Sequence, residues 1–186
     1  QALVDSYNKI VDLADGVAGN GTTTPTAGDY TTLGINGIDT PAEVSLLGTV
    51  LDKKTGTAVD SADELQELAD AVAAVINTAA GISPTVTAEQ LTLLGVTGVT
   101  PDNFLAIIDA IENTPDNGTG VDTITELNDL VGNTIAAEAI PKNWSISSSH
   151  ASVDEGAGFM TFTVARSGSP RAAATIDVAT AGGNAT

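Results

Sequence analysis

Two blocks of the chain repeat each other at a nearly constant spacing, and this limits what it can fold into. Thr26, Ala27, Thr31, Leu33, Gly34 and Gly37 recur as Thr87, Ala88, Thr92, Leu94, Gly95 and Gly98, 61 residues later. Thr40-Pro41 recurs as Thr100-Pro101 at an offset of 60. Val59, Asp60, Glu64, Leu65 and Leu68 recur as Val121, Asp122, Glu126, Leu127 and Leu130 at 62. The offset changes only where loops are expected, and loops are where repeats absorb insertions. A partial third copy opens the chain. Val4, Asp5, Ser6, Leu13, Ala14 and Asp15 match Val59, Asp60, Ser61, Leu68, Ala69 and Asp70. Residues 1–20 are therefore expected to be the last helix of a truncated upstream repeat, with more repeats in a longer parent chain.

Each full repeat reads as three helices. A short one at 87–94 ends at Gly95. Thr100-Pro101-Asp102 opens the second: Thr as cap, Pro at the first helical position, Asp near the positive helix end. Phe104, Leu105, Ile107, Ile108 and Ile111 form its expected apolar face. Pro115, Asn117, Gly118 and Gly120 break it. Thr123 and Glu126 have capping-box spacing, as do Ser61 and Glu64 in the earlier copy. The third helix should bury Ile124, Leu127, Leu130, Val131 and Ile135 in one copy, and Leu65, Leu68, Val72, Val75 and Ile76 in the other. The expected fold is mainly α: tandem small three-helix bundles at 26–80 and 84–140, joined by linkers at 19–28 and 77–86. Bundles of about 50 residues lie near the lower limit for independent folding, so packing against neighbours should help.

Composition narrows the function classes. Twenty-four acidic residues face six basic ones, for a net charge of −18. Such a surface repels nucleic acid and anionic lipid, so neither is an expected partner. At 42% hydrophobic residues the chain is no disordered acidic tail, but only 3% are aromatic, so the core must be aliphatic. Without cysteine there are no disulfides, thiolate zinc sites or cysteine nucleophiles.

After Pro141 the helical period stops. Trp144-Ser-Ile-Ser begins a strand-like stretch. Phe159, Thr161 and Thr163 then alternate with Met160, Phe162 and Val164, and Ser167–Pro170 reads as a turn before further alternation from Ala174 to Thr180. Val153-Asp-Glu-Gly156, Phe159–Val164, Arg166-Ser-Gly168 and Thr175–Val178 together resemble the first half of a Calx-beta module, over roughly residues 144–186. That resemblance implies a partial immunoglobulin-like β-sandwich. It also implies a calcium role for Glu155, on the family's early acidic motif, with Asp154 beside it. The half carrying most of the family's calcium-binding acids is missing. Calcium is the one cofactor expected, and half a sandwich leaves open edges through which 144–186 could exchange strands between chains.

The helical blocks resemble repeats of giant bacterial surface and biofilm proteins. Their three-helix order is similar to the albumin-binding GA module, a likeness of topology that implies no albumin binding.

Catalytic chemistry is not expected. The sole histidine, His150, lies in a serine-rich stretch, and Ser147 and Ser149 are only its sequence neighbours, with no orienting group. Phosphate-loop, zinc-helix and nucleophile-elbow motifs are missing, and Gly95-x-x-Gly98 reads as a helix stop and a turn. Asp116–Asp122 has glycine where an EF-hand needs oxygen ligands at positions 3 and 5, so a turn into a cap explains it better. The Asn-x-Ser/Thr triplets at Asn20, Asn117, Asn143 and Asn184 read as incidental. The expectation is a non-enzymatic stalk or spacer of a secreted bacterial cell-surface protein, with other modules of its parent chain as partners. Competing expectations are a module binding a host or matrix protein, and a non-catalytic part of a secreted hydrolase.

Overall fold

The structure is a computed structural model that describes residues 1–21, 23–115, 117–139, 144–148 and 161–166. It is mainly helical, with one small antiparallel sheet. The chain divides into two compact units, Gln1–Ala136 and Ala137–Thr186. The candidate calcium ligands Asp154 and Glu155, as well as His150, lie outside the described residues.

Seven α-helices lie among the described residues: α1 (Ala2–Leu13), α2 (Ala27–Thr32), α3 (Pro41–Leu51), α4 (Ala62–Ala79), α5 (Ala88–Leu94), α6 (Pro101–Glu112) and α7 (Ile124–Glu138). Their starts follow from local chemistry. Thr26, Thr40, Ser61 and Thr87 each accept a hydrogen bond from the backbone N–H three residues on, through the side-chain oxygen. Asp29, Glu43, Glu64 and Gln90 at those third positions reach back to the cap's own N–H. Each box satisfies two donors that a helix start leaves open. At α6, Asn103 Oδ1 accepts from Thr100 N at 2.8 Å, and at α7 Thr123 Oγ1 accepts from Glu126 N at 3.2 Å. Pro41 and Pro101 sit in the first turns of α3 and α6.

The two blocks therefore share a frame in space as well as in sequence. Gly34 and Gly95, which follow the short first helices, have φ of 82° and 93°. Gly37 and Gly98, in the next turn, have 80° and 81°. A side chain is strained at such angles, which accounts for glycine at both places in both copies. At Gly37 a Cβ would meet Ala73 of α4, and at Gly98 it would meet Ile135 of α7. The third helix of each block thus crosses the same turn of its own block.

The blocks do not close as two separate bundles. One continuous aliphatic core runs from Ile10 to Val131. Helix α4 packs against α3 of its own block and against α5 and α6 of the next. Helix α1 packs in the same sense against α2 and α3. The reason is visible on α4: besides the expected Leu65, Leu68, Val72, Val75 and Ile76, it buries Ala69, Ala71, Ala74, Thr78 and Ala79. Asp63, Glu67 and Asp70 keep its first half open to solvent, but from Ala71 to Ala79 the helix is buried on nearly all sides and must be covered from more than one. The expected linker at 77–86 is correspondingly not free. Its first residues belong to α4, and buried Thr78 Oγ1 accepts from Val86 N at 2.7 Å.

Two further expectations change. Leu105, expected on the buried face of α6, is 72% exposed, with Ala106 buried instead. Ser6, matched in sequence to the cap Ser61, lies inside α1, because that helix starts four residues earlier.

In the second unit β1 (Trp144–Ser148) pairs antiparallel with β2 (Phe162–Arg166), Ile146 opposite Val164. Trp144, Ile146, Phe162 and Val164 share one face by the period of two, and all are exposed. The Arg166 guanidinium lies 6.0 Å from the Trp144 ring centre.

Candidate functional site

Polar groups buried in the helical unit are few, so each can be traced. The most connected is the Asp29 carboxylate, near the start of α2. Lys9 Nζ of α1 donates to both its oxygens, at 2.8 and 2.9 Å. Ser6 Oγ donates to Oδ1 at 2.9 Å, and Thr26 donates to Oδ2 from its backbone and its hydroxyl at 2.9 and 2.7 Å. Burial alone would raise this carboxyl's pKa. The hydrogen bonds from Lys9, Thr26 and Ser6 outweigh it and hold the group well below the usual carboxylate range. Lys9 and Asp29 thus form an ion pair between α1 and α2. Every acceptor site is directed at a group of the same chain, so the cluster joins two helices and leaves nothing to bind a ligand.

Next to it, the Tyr30 ring is wholly buried and its hydroxyl has no hydrogen-bond partner. Burial pushes the phenol well above its ordinary pKa, and the Asp29 charge adds to this.

A cleft of about 290 Å³ opens between the end of α1, the segment after it and α3. Leu13, Thr24, Ser45, Thr49 and Asp52 contribute to its wall. Asp52 Oδ2 accepts from Gly19 N at 2.5 Å, and Oδ1 is buried without a partner. Among the described residues of that lining Asp52 is the one ionisable group, with no second described group beside it for acid-base work or for closing a shell around a cation. Among the described residues no group of three or more acidic or histidine side chains could hold a metal ion.

Other polar contacts stitch the two blocks together. Lys54 Nζ, its pKa lowered by burial, donates to Leu93 O at 2.7 Å, in the last turn of α5, where carbonyls are unsatisfied and the helix end is negative. Thr49 Oγ1 of α3 accepts from Ile124 N of α7 at 2.9 Å, across 75 residues of sequence. Ahead of α7, burial and then the neighbouring Glu126 raise the Asp122 carboxyl. Asn117 Oδ1 accepts from Thr119 N and Oγ1, a local turn with Gly118 and Gly120 at positive φ. Sequence reasoning missed the Lys9–Asp29 pair, since its partners are 20 residues apart on different helices and no local pattern joins them.

Among the described residues no helix is long and apolar enough to cross a membrane. No protein-family model, no curated protein and no solved structure matches the chain.

Proposed function

We propose that this chain is a structural spacer of a large secreted bacterial surface protein, a stalk or adhesive module that serves cell adhesion or biofilm formation. The observation that carries this reading is the recurrence of one junction: α1 on α2 and α3, then α4 on α5 and α6. A polar network spent on joining helices, as at Lys9–Asp29 and Lys54–Leu93, suits a mechanical part. In this reading 26–80 and 84–140 are successive three-helix repeats that stack through their third helices. The β1–β2 pair belongs to an immunoglobulin-like sandwich whose inner face would take up Trp144, Ile146, Phe162 and Val164. The strong negative charge keeps such parts apart and soluble.

Inserting a second copy of residues 62–122 after Asp122 tests it. In a stacked array stability is a sum over units and nearest-neighbour interfaces, so the longer chain should melt at or above the original temperature. Small-angle X-ray scattering should show the maximum dimension growing by one or two helix diameters, roughly 10–20 Å. Growth in mass with no growth in length would reject the spacer.

A further inference from the structure

Three Asn-Gly pairs occur in the chain: Asn20-Gly21, Asn36-Gly37 and Asn117-Gly118. At such a pair the glycine nitrogen can attack the asparagine Cγ, because the glycine has no Cβ to hinder it. The attack needs a nitrogen not committed to a hydrogen bond and a peptide plane free to turn toward Cγ. The fold grants these unequally. At the third pair Gly118 is buried and its N–H is donated to Pro115 O at 2.9 Å. The Asn117 side chain is tied down as well, its Oδ1 accepting from Thr119 N and Oγ1. At the second pair Gln66 of α4 clamps the backbone: its Oε1 accepts from Asn36 N at 3.0 Å, and its Nε2 donates to Asn36 O at 3.1 Å. The peptide plane that carries Gly37 N is therefore pinned. At the first pair both residues are exposed, and neither Asn20 O nor Gly21 N bonds to another described residue. The Asn20 side chain is held through Nδ2, which donates to Asp15 Oδ2 at 2.7 Å. That nitrogen is the group that would leave, and the carboxylate beside it favours the ammonium character it gains on leaving.

Independently of the spacer reading, we infer that Asn20 is a modification site, where the folded protein deamidates spontaneously and the turn at 15–20 loosens as a result. Hydroxide takes the Gly21 N–H proton, and the nitrogen forms a bond to Asn20 Cγ. The Cγ–Nδ2 bond breaks, and ammonia departs with a proton from water, leaving a succinimide. Water then opens the ring at either carbonyl, to aspartate or to isoaspartate, and nothing is oxidised or reduced. A carboxylate at position 20 cannot donate to Asp15, and it repels it. The Asn20 bond is the first of the causes that hold the Asp15 carboxyl below its usual value, so its loss reaches that group directly. Asp15 Oδ1 also accepts from Val17 N at 2.8 Å, and Asp52 of α3 accepts from Gly19 N. The Asn20 carboxamide closes the turn that these two bonds shape.

The experiment ages the full chain in mildly alkaline buffer and follows each Asn-Gly pair by peptide mass mapping, with enzymatic labelling of isoaspartate. Conversion at Asn20 is expected to run several-fold faster than at Asn36 or Asn117, and to slow in mildly acidic buffer, where hydroxide is scarce. In concentrated urea the three rates should converge, since the fold is what sets them apart. Amide exchange at Val17 and Gly19 should quicken as the parent chain ages. It should stay constant in Asn20→Gln, whose longer side chain keeps an amide donor and closes no five-membered ring. Equal or faster conversion at Asn36 or Asn117 in the folded chain would overturn the inference. So would a lead of Asn20 that persists undiminished in urea, because the fold would then not be its cause. Exchange at Val17 and Gly19 that ignores the conversion would overturn the loosening of the turn.

Discussion

In the first block Asp29 and Tyr30 occupy the positions that Gln90 and Leu91 occupy in the second. The frame around them is the same: a threonine cap before, a left-handed glycine after, and the preceding third-type helix alongside. In the second block the pair is quiet. Gln90 closes its capping box and Leu91 fills the core. In the first block the carboxylate is buried and needs Lys9 and Ser6 from α1, and the phenol is buried with nothing to bond. One backbone thus accepts either an apolar or an ionic junction. The difference shows that the repeat's geometry is held by caps and glycines, while the character of each junction is set separately by a few side chains.

The largest effect should come from the shared helix. Leu68→Ala in α4, where Leu68 is fully buried in the common core, should cost about 3–4 kcal/mol in denaturant unfolding. Leu130→Ala, at the matching place in half-covered α7, should cost roughly half that. Equal costs would mean that α4 is no more central than α7. Next, Asp29→Ala removes a buried acceptor of charge-assisted bonds together with a capping box, and should cost about 2–3 kcal/mol. Gln90→Ala should cost only about 1 kcal/mol.

The same asymmetry should appear in acid. The folded-state pKa of Asp29 is depressed, so its contribution is fully present above the unfolded value of about 3.9 and is lost as pH falls toward the folded one. Melting followed from pH 6 down to pH 2 should decline less steeply in Asp29→Asn than in the parent. A parallel decline would show that the Lys9 pair contributes nothing to folding.

Tyr30→Phe is expected to act in the other direction. It removes a buried unpaired hydroxyl and should raise stability by about 1 kcal/mol. A loss of that size would reveal a partner for the phenol. The smallest change should be Gly34→Ala or Gly95→Ala, about 1 kcal/mol each and equal within error, because both hold the same positive φ. Unequal costs would break the claim of a common frame.

What was legible in the sequence was whatever is decided locally. The caps at Ser61, Thr100 and Thr123, the glycines after the short helices and the main stripe of α4 follow from spacings of three and four residues. What was not legible depends on neighbours distant in sequence. Ala71 and Ala74 look neutral in a helix and prove to be buried on the far side of α4 from Leu65, Ala69 and Ile76. Ala71 was also the available clue, since α7 has the exposed Asn133 at the matching position. Leu105 satisfied the helical period and still points outward, because α6 is covered on one side only. Of the candidate site, Asp154 and Glu155 lie outside the described residues, and the cluster that the fold does assemble could not be read from either helix alone.

The Lys9–Asp29 pair also has a bearing on shuffling. Helix α4 contains neither lysine nor arginine. A recombination that put α2 directly behind α4 would leave the Asp29 carboxylate with no cation to meet it, since Glu64 stands on α4 where Lys9 stands on α1. Identical backbones would let segments trade places freely; this one contact makes their order part of the inherited information, and genetic rearrangements that ignore it should be the ones that fail to fold.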